Sequence, residues 1–301
     1  MNLNIFVAYK IFLVKTSLGH LPEDKQQEIQ SITESIVQLV KPEMVILFGS
    51  YSRGDWVEDR HIEDGITVEY KSDYDILVVT SKPQDMPHGL GKDVRRKIKK
   101  AEHLQTTPHI IFHDIKFLNN ELEEGHYFFA DIVKEGTMLY NTGSHQLATA
   151  KEMSPVDRAN KARMYFDDWF KNAEEFWIDY NNAFNRGSYR KAAFELHQAA
   201  ENLYKTIILV FTDYKPKTHD LDDLNKQAGY ADVRFKTVFP NQTEEDKRKF
   251  TLLVKAYIDS RYKLGYTVDP EDLKWLAERV GRLKELTEVV CGERIDSYGK
   301  A

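Results

Sequence analysis

The sequence predicts an α+β protein in two parts: a mixed sheet with flanking helices, then an all-α antiparallel helical bundle. In the first half, short apolar runs such as Met44–Phe48 and Ile76–Val79 stop at polar turns, which is typical of strands. In the second half, apolar residues recur every three or four positions over long stretches, which is the helical period. A chain of 301 residues is long enough for two domains.

The first half predicts helices and strands in alternation. Ile29, Ile32 and Ile36 fall at spacings of three and four, which predicts a surface helix over residues 22–40. A polar, acidic connection follows Trp56, and we expect a solvated loop there, although its alternating stretch also permits a hairpin. The remaining predicted elements are a basic helix over 92–103, a third strand over 108–112, a helix over 118–129 and a strand over 137–140.

The second half predicts four long helices, beginning near residues 155, 189, 243 and 269, each with one apolar stripe. Ser154 and Pro155 form a strong start signal, because serine caps a helix, proline fits the first turn, and Asp157 completes a capping box. The predicted divisions are an N-terminal arm over 1–21, a first domain over 22–143, a linker over 144–153, a helical bundle over 154–292 and a C-terminal tail over 293–301.

Composition excludes several classes of protein. A hydrophobic content of 42% with 30% charged residues is that of an ordinary globular protein, and the net charge of −6 does not favour general nucleic-acid binding. The single cysteine, Cys291, excludes an internal disulfide and fits a reducing cytosol, so we expect a cytoplasmic protein. No apolar run approaches the ~20 residues that cross a bilayer, so we expect no membrane partner.

The strongest candidate site lies between the first two strands. Gly49 and Ser50 follow the first strand in what we expect to be a tight turn, and Asp73 and Asp75 open the second. Because side chains alternate along a strand, both carboxylates project from the same side and require a cation between them. Such oxygen ligands suit Mg²⁺, which also binds substrate phosphates. With a glycine backbone, a hydroxyl and the Arg53 guanidinium nearby, the pattern predicts a site for a nucleoside triphosphate and its metal.

Two other phosphate-binding loops do not fit these residues. Gly49 and Gly54 have the spacing of a Walker loop, but Asp55 and Trp56 stand where Lys and Ser or Thr are required. The G-x-G-x-x-G pattern of a dinucleotide fold does not occur. Gly-Ser alone would indicate an ordinary turn, since these residues favour turns. The D-x-D pattern that opens the next strand favours the functional interpretation.

At these residues the chain resembles the DNA polymerase β-like nucleotidyltransferases, in which G-S is followed by D-x-D. Residues 47–55 look most like the minimal nucleotidyltransferase (MNT) branch, and the resemblance covers about the first half of the chain. It implies transfer of a nucleotidyl group from an NTP, with ATP the expected donor and Mg²⁺ or Mn²⁺ the cofactor. The implied catalytic residues and metal ligands are Asp73 and Asp75, and the implied nucleotide-binding residues are Gly49, Ser50 and Arg53.

The third strand departs from the family's pattern. The family places a third carboxylate at the start of this strand, where it helps to bind metal and accepts the proton of the acceptor hydroxyl. The matching position here is His109, while Asp114 lies beyond the predicted strand at a position of opposite parity. We expect His109 to be a catalytic residue that acts as a base near neutral pH. Alternatives are an acceptor that needs less activation, or a site that binds nucleotide without turnover.

The second half resembles a HEPN domain, on the runs at 187–189, 192–201, 218–221 and 257–262. HEPN domains are helical bundles that often dimerise, so we expect a homodimer through this domain. Many are metal-independent ribonucleases whose motif pairs an arginine with a later histidine. Arg261 and Tyr262 match the start of that motif, but Tyr266 stands where the histidine is expected, so RNA is a weakly supported partner. We expect His197 and His219 to be packing or capping residues.

The two resemblances together imply a function. MNT and HEPN domains commonly occur as partners, and as toxin–antitoxin pairs the MNT protein can adenylylate a tyrosine of the HEPN protein. We therefore expect a nucleotidyltransferase whose acceptor is a hydroxyl, with Tyr262 or Tyr266 as candidates. One alternative is a small-molecule acceptor, as in the aminoglycoside nucleotidyltransferases, which have similar architecture. Another is a regulatory or assembly protein that binds nucleotide and lacks activity at both sites.

Overall fold

A computed structural model describes residues 15–63, 66–82, 94, 97–98, 104–106 and 108–300. The chain divides into two compact units between Glu152 and Met153, inside the stretch predicted to be a linker. The predicted α+β class is confirmed, because the first unit contains both strands and helices and the described part of the second is helical. Within these described ranges, no helix is both long and apolar enough to span a bilayer.

The first unit alternates helices and strands, as its sequence pattern predicts. The predicted basic helix over 92–103 lies largely outside the described residues, although Val94, Lys97 and Ile98 are helical. The elements are α1 (Glu23–Val40), β1 (Met44–Phe48), a short helix α2 (Gly49–Arg53), β2 (Glu58–Glu63), β3 (Ile66–Lys71), β4 (Tyr74–Thr80), β5 (Pro108–Asp114), α3 (Ile115–Glu124), α4 (Tyr127–Glu135) and β6 (Thr137–Asn141).

The main sheet has the order β5-β4-β1-β6 and is mixed. Strand β4 runs antiparallel to β1 and parallel to β5, and β6 runs antiparallel to β1. The two central strands are buried almost throughout, which explains why they read as continuous apolar runs rather than alternating ones. Ile29, Ile32 and Ile36 of α1 are fully buried in the cluster that contains Val45 and Ile76, so the predicted apolar stripe of α1 covers the sheet.

Three local predictions for this unit are wrong. The expected turn at Gly49 is the short helix α2, and the predicted helix over 118–129 is two helices that meet at Gly125, whose φ of +81° ends α3 in the left-handed conformation. The expected solvated loop is instead the hairpin β2–β3, paired from Glu58 with Lys71 to Glu63 with Ile66. The hairpin is the alternative that the alternating stretch permitted; the other strand, β2, gave no such signal, because its residues are almost all charged or polar.

The described end of the predicted N-terminal arm lies against the first unit. Lys15 forms a parallel bridge with Thr137, its carbonyl accepts the N–H of Met138 at 2.6 Å, and its ammonium donates to the Ser52 carbonyl at 3.3 Å. His20 Nε2 lies 2.8 Å from the Tyr51 carbonyl oxygen. These contacts attach the segment after residue 14 to the sheet edge and to α2, while residues 1–14 of the arm lie outside the described part of the chain.

The second unit is built around one central helix. Its elements are α5 (Pro155–Asn185), α6 (Tyr189–Thr212), α7 (Leu221–Ala231), a 3₁₀ turn (Val233–Thr237), α8 (Glu244–Tyr262) and α9 (Pro270–Tyr298). Helix α6 is buried on most sides and contacts α5, α7, α8 and α9, so it forms the centre of the bundle core. Ser154 caps α5 as predicted, since its hydroxyl accepts the N–H of Asp157 at 3.1 Å.

The predicted C-terminal tail over 293–301 is wrong for most of its length. Helix α9 continues to Tyr298, and Ile295 and Tyr298 are buried. The Tyr298 hydroxyl donates to the carbonyl oxygens of Val210 and Phe211, at 3.2 and 3.1 Å. These contacts secure the last turn of α9 against the end of α6.

Candidate active site

Gly49 shapes the candidate site at the end of β1. It begins α2 with a φ of +72°, a left-handed conformation that glycine adopts without the cost of a Cβ. A Cβ built on Gly49 would lie 2.4 Å from Asp75 Oδ2 and 3.2 Å from Asp75 Cγ. Both the backbone conformation and the close approach of Asp75 therefore require glycine at this position.

Strand pairing places Asp75 and His109 side by side. Asp75 of β4 pairs with Phe48 on one side and with His109 of β5 on the other. His109 Nδ1 lies 2.9 Å from Asp75 Oδ1, and the two side chains are 29% and 24% exposed. The prediction that a histidine occupies the third-carboxylate position is therefore consistent with the register. Each oxygen of Asp75 has its own neighbour, His109 at Oδ1 and Gly49 at Oδ2.

Asp73 lies just before β4 rather than inside it, so the prediction that both carboxylates belong to the strand is wrong by one residue. Asp73 is partly exposed. Between the two carboxylates, Tyr74 is fully buried, and its hydroxyl donates to Glu28 Oε2 at 2.7 Å. Burial and the neighbouring Glu28 raise the pKa of Tyr74, so its hydroxyl stays protonated as the donor. This buried anchor fixes the segment that carries both aspartates, and sequence reasoning missed it.

The phenol of Tyr51 supports the same segment from α2. Its ring contacts Tyr74 with 4.5 Å between centroids and stacks on Trp56 at 5.5 Å. Its hydroxyl donates to Glu58 Oε1 at 3.3 Å, and burial raises the pKa of Tyr51 to about 12. Lys25 of α1 lies 2.7 Å from the same Glu58 oxygen. Aromatic packing therefore links the residue after Gly49-Ser50 to the residue between the aspartates.

Helix α2 carries the other predicted phosphate-binding residues. Ser50 is partly exposed, and its carbonyl accepts the N–H groups of Gly54 and Asp55 at 2.8 and 3.1 Å. Arg53 is 44% exposed at its side chain, its Nε donates to Asp55 Oδ2 at 3.0 Å, and a terminal nitrogen lies 3.9 Å from Glu135. The structure thus brings Gly49 and Asp75 into contact and leaves the Arg53 guanidinium at the surface.

Ser52 anchors α2 and was missed from the sequence. Its hydroxyl is buried, donates to the Glu135 carbonyl at 2.8 Å and lies 3.0 Å from Thr137 Oγ1. The second serine in the run G-S-Y-S-R is the signal that marks it.

Asp114 is the last residue of β5, not a residue beyond the strand as predicted. Its carboxylate accepts the N–H of Phe117 at 2.9 Å and caps α3. It lies five positions along the strand from His109, a distance of about 16 Å along an extended chain. Asp114 therefore has a capping role and does not supply the third carboxylate.

A second group of possible metal ligands lies where α3 meets α4. Glu121, Glu124 and His126 have donor atoms within 4.8 Å of one another. His126 directs its two ring nitrogens to different carboxylates, with Nδ1 3.7 Å from Glu121 and Nε2 3.5 Å from Glu124. One ion can bind only one of these nitrogens, so the arrangement fits a set of surface ion pairs better than a metal centre.

In the second unit, Arg261 is exposed. Its Nε donates to the Tyr257 carbonyl at 2.7 Å, and its guanidinium lies 4.1 Å from the centroid of the Tyr257 ring. Tyr262 is 72% exposed, whereas Tyr266 is half-buried, and burial raises its pKa. Of the two tyrosines predicted as acceptors, Tyr262 is thus the accessible one.

The two histidines of this unit meet at Glu201. His197 is fully buried, as expected of a packing residue, and its Nδ1 lies 2.9 Å from the Leu253 carbonyl oxygen. His219 has its side chain 56% exposed and its Nδ1 2.9 Å from Glu201 Oε1, and its ring stacks on Tyr257 with 5.1 Å between centroids. Of the two predicted roles, packing or capping, it therefore has the packing one, and Asp220 caps α7. Burial disfavours the Glu201 carboxylate, but Lys205 and the histidines outweigh it and lower its pKa to about 2.

Comparison with known families identifies both halves of the chain. Residues 30–145 match the family model described as polymerase beta, nucleotidyltransferase, and residues 166–290 match the model of the HEPN domain. The chain therefore contains a polymerase β-type nucleotidyltransferase domain followed by a HEPN domain. Both resemblances stated from the sequence are confirmed at this level.

Among solved structures, the chain is similar to a nucleotidyltransferase-like protein from Exiguobacterium sibiricum 255-15, known from a crystal structure at 1.90 Å resolution. The two are 16% identical, the match covers 88% of this chain and 78% of that chain, and the TM-score is 0.29. A TM-score this low supports no structural inference. No curated relative matches the chain at a significant level.

Proposed function

We propose that this protein is a metal-dependent nucleotidyltransferase that moves an NMP group from an NTP, with ATP the expected donor, to a hydroxyl acceptor. The observation that carries this proposal is the contact between Gly49 and Asp75 at the end of β1. A residue without a side chain leaves the Asp75 carboxylate open to a ligand and lets a phosphate approach the backbone of α2. The transferred group leaves behind pyrophosphate.

The oxygen donors of Asp73 and Asp75 fit a divalent ion, and these residues would hold it. When bound, such an ion neutralises phosphate charge and polarises the phosphoryl oxygens. The buried Tyr74 between the aspartates supports this role, because its bond to Glu28 restricts the movement of both neighbours. Positioned ligands matter for catalysis, since displacements of about 1 Å can cost roughly 100-fold in rate.

Arg53 and Ser50 would bind the triphosphate. The Arg53 guanidinium is paired with Asp55, but an exposed ion pair of this kind contributes only about 0.2–1 kcal/mol. A triphosphate offers several oxygens to the planar guanidinium and so competes readily with one carboxylate. Ser50 follows Gly49 directly, and its hydroxyl is a donor for the same phosphates.

The acceptor is proposed to be a tyrosine hydroxyl on a HEPN surface. Tyr262 supports this proposal because it is 72% exposed at the end of α8. Tyr266 is a weaker candidate, since its hydroxyl oxygen is buried. Because the Tyr262 phenol is already exposed to solvent, it can enter an active site on another copy of the chain without first being uncovered.

The proposal is tested by incubating the protein with a divalent metal and each α-labelled NTP. Label retained on the protein is compared with label on the Asp73→Asn/Asp75→Asn double variant, which keeps side-chain shape and removes both charges. Label transfer that the double variant loses supports the proposal and identifies the base of the donor. Saturable NTP binding without transfer to protein or to added small hydroxyl acceptors would instead favour a nucleotide-binding regulatory protein.

A further inference from the structure

The side chains around Asp75 differ in chemistry from a simple Mg²⁺ site, because one of them is an imidazole. Mg²⁺ binds oxygen ligands and dehydrates reluctantly. Imidazole is instead a ligand for transition ions. Where the family resemblance implies a third carboxylate, the register of β5 on β4 puts His109 next to Asp75.

The distance between the two side chains fits shared binding of one ion. His109 Nδ1 and Asp75 Oδ1 are 2.9 Å apart. An octahedral ion with bonds of about 2.1 Å holds neighbouring ligand atoms about 3.0 Å apart. The hydrogen-bonding atoms are therefore already at the separation that two adjacent ligands of one ion require.

Access and orientation agree with this interpretation. The side chains of His109 and Asp75 are 29% and 24% exposed, so an ion can reach them from solvent. Asp75 Oδ2 lies against Gly49, which leaves Oδ1 as the oxygen that shares an ion with His109. Binding replaces the hydrogen bond between these atoms, since a nitrogen that ligates a metal carries no proton.

We propose that Asp75 and His109 supply an oxygen and a nitrogen ligand to one ion, which makes a mixed site that selects a transition ion such as Mn²⁺ over Mg²⁺. This proposal rests on the nucleotidyltransferase function proposed above and adds the identity of its ion. It also gives His109 the role of a ligand, in place of the base expected from the sequence. A nitrogen that binds the ion cannot accept the proton of the acceptor hydroxyl.

The test is pulsed electron paramagnetic resonance of Mn²⁺ bound to the tag-free full chain. Inorganic tripolyphosphate is added as the probe, because it supplies phosphate oxygens and contains no nitrogen. The expected result is a ¹⁴N coupling from directly bound imidazole. His109→Asp should keep Mn²⁺ binding but lose the coupling, and the ratio of Mn²⁺ to Mg²⁺ affinity should fall at least tenfold.

Two controls make the assignment specific. His126→Gln removes the imidazole of the Glu121, Glu124 and His126 cluster and should leave the coupling unchanged. Circular dichroism verifies folding of each variant, and His109→Asn, which is closer in size to histidine, replaces His109→Asp if the latter does not fold.

The outcomes separate this proposal from the proposed function. Mn²⁺ binding that requires Asp75 but shows no ¹⁴N coupling would overturn the ligand role of His109 and leave the transferase function standing. A coupling that persists in His109→Asp would also overturn it. If Asp75→Asn changed the affinity for neither Mn²⁺ nor Mg²⁺, the result would contradict the proposed site as a whole.

Discussion

Replacement of Gly49 by alanine should damage the site far more than the fold. An alanine Cβ would lie 2.4 Å from Asp75 Oδ2, whereas real Cβ atoms stay beyond 3.0 Å, so the carboxylate must move by about 0.6 Å or more. The left-handed φ of +72° adds a backbone cost of about 1–2 kcal/mol. Since shifts of about 1 Å cost roughly 100-fold in rate, we expect nucleotidyl transfer to fall by about two orders of magnitude.

Gly54 provides the matched control. It also has a left-handed φ, of +89°, but among the residues that the structure describes a Cβ there would meet only His20 Cδ2 at 3.4 Å, an ordinary contact. Gly54→Ala should therefore lose similar unfolding free energy in urea and keep transfer and metal binding. If Gly49→Ala and Gly54→Ala reduced transfer equally, the contact with Asp75 would have no special role, and the reasoning above would be refuted.

Three further predictions concern stability and the acceptor. Glu201→Gln should lower the unfolding free energy by about 3 kcal/mol at pH 7, because the pKa of about 2 lies below the unfolded value of 4.5. This stabilisation is present above pH 4.5 and is lost as the pH falls towards 2, so urea titrations should show the two proteins converging in acid. Tyr74→Phe removes the donor to Glu28 and should cost about 1–2 kcal/mol, measured by thermal unfolding; an unchanged midpoint would contradict the anchor. Tyr262→Phe should abolish label transfer to the protein while Tyr266→Phe retains it, and the reverse result would exclude exposure as the reason for acceptor choice.

Local sequence patterns predicted the elements whose buried residues follow a simple pattern, either a continuous run or a single stripe. Strands β1 and β4 are buried on both faces and therefore appear as apolar runs, and α1 shows one clear stripe. The hairpin β2–β3 was predicted only as an alternative to a loop, because its first strand, Glu58–Glu63, is almost entirely charged or polar. The last turns of α9 were predicted to be a tail, although Ile295 and Tyr298 continue the buried stripe of the helix.

The sequence supports the candidate site only through local patterns. The spacing of Asp73 and Asp75 and the Gly49-Ser50 pair are short-range patterns, and the position of His109 beside them was inferred from the order of the strands. The anchors were not predictable, because they join residues far apart in the chain: Tyr74 to Glu28 over 46 positions. The same applies to the approach of Asp75 to Gly49, which depends on the paired register of two strands.

The central claim is that Asp75 and its neighbours hold a metal and an NTP. Isothermal titration with a non-hydrolysable NTP analogue, with and without Mn²⁺ or Mg²⁺, tests it without knowledge of the acceptor. We predict one metal-dependent site per chain, lost in Asp75→Asn and retained in Arg261→Ala, which alters an exposed arginine of the other unit. Binding that is absent from the wild type, or unchanged in Asp75→Asn, would contradict the account.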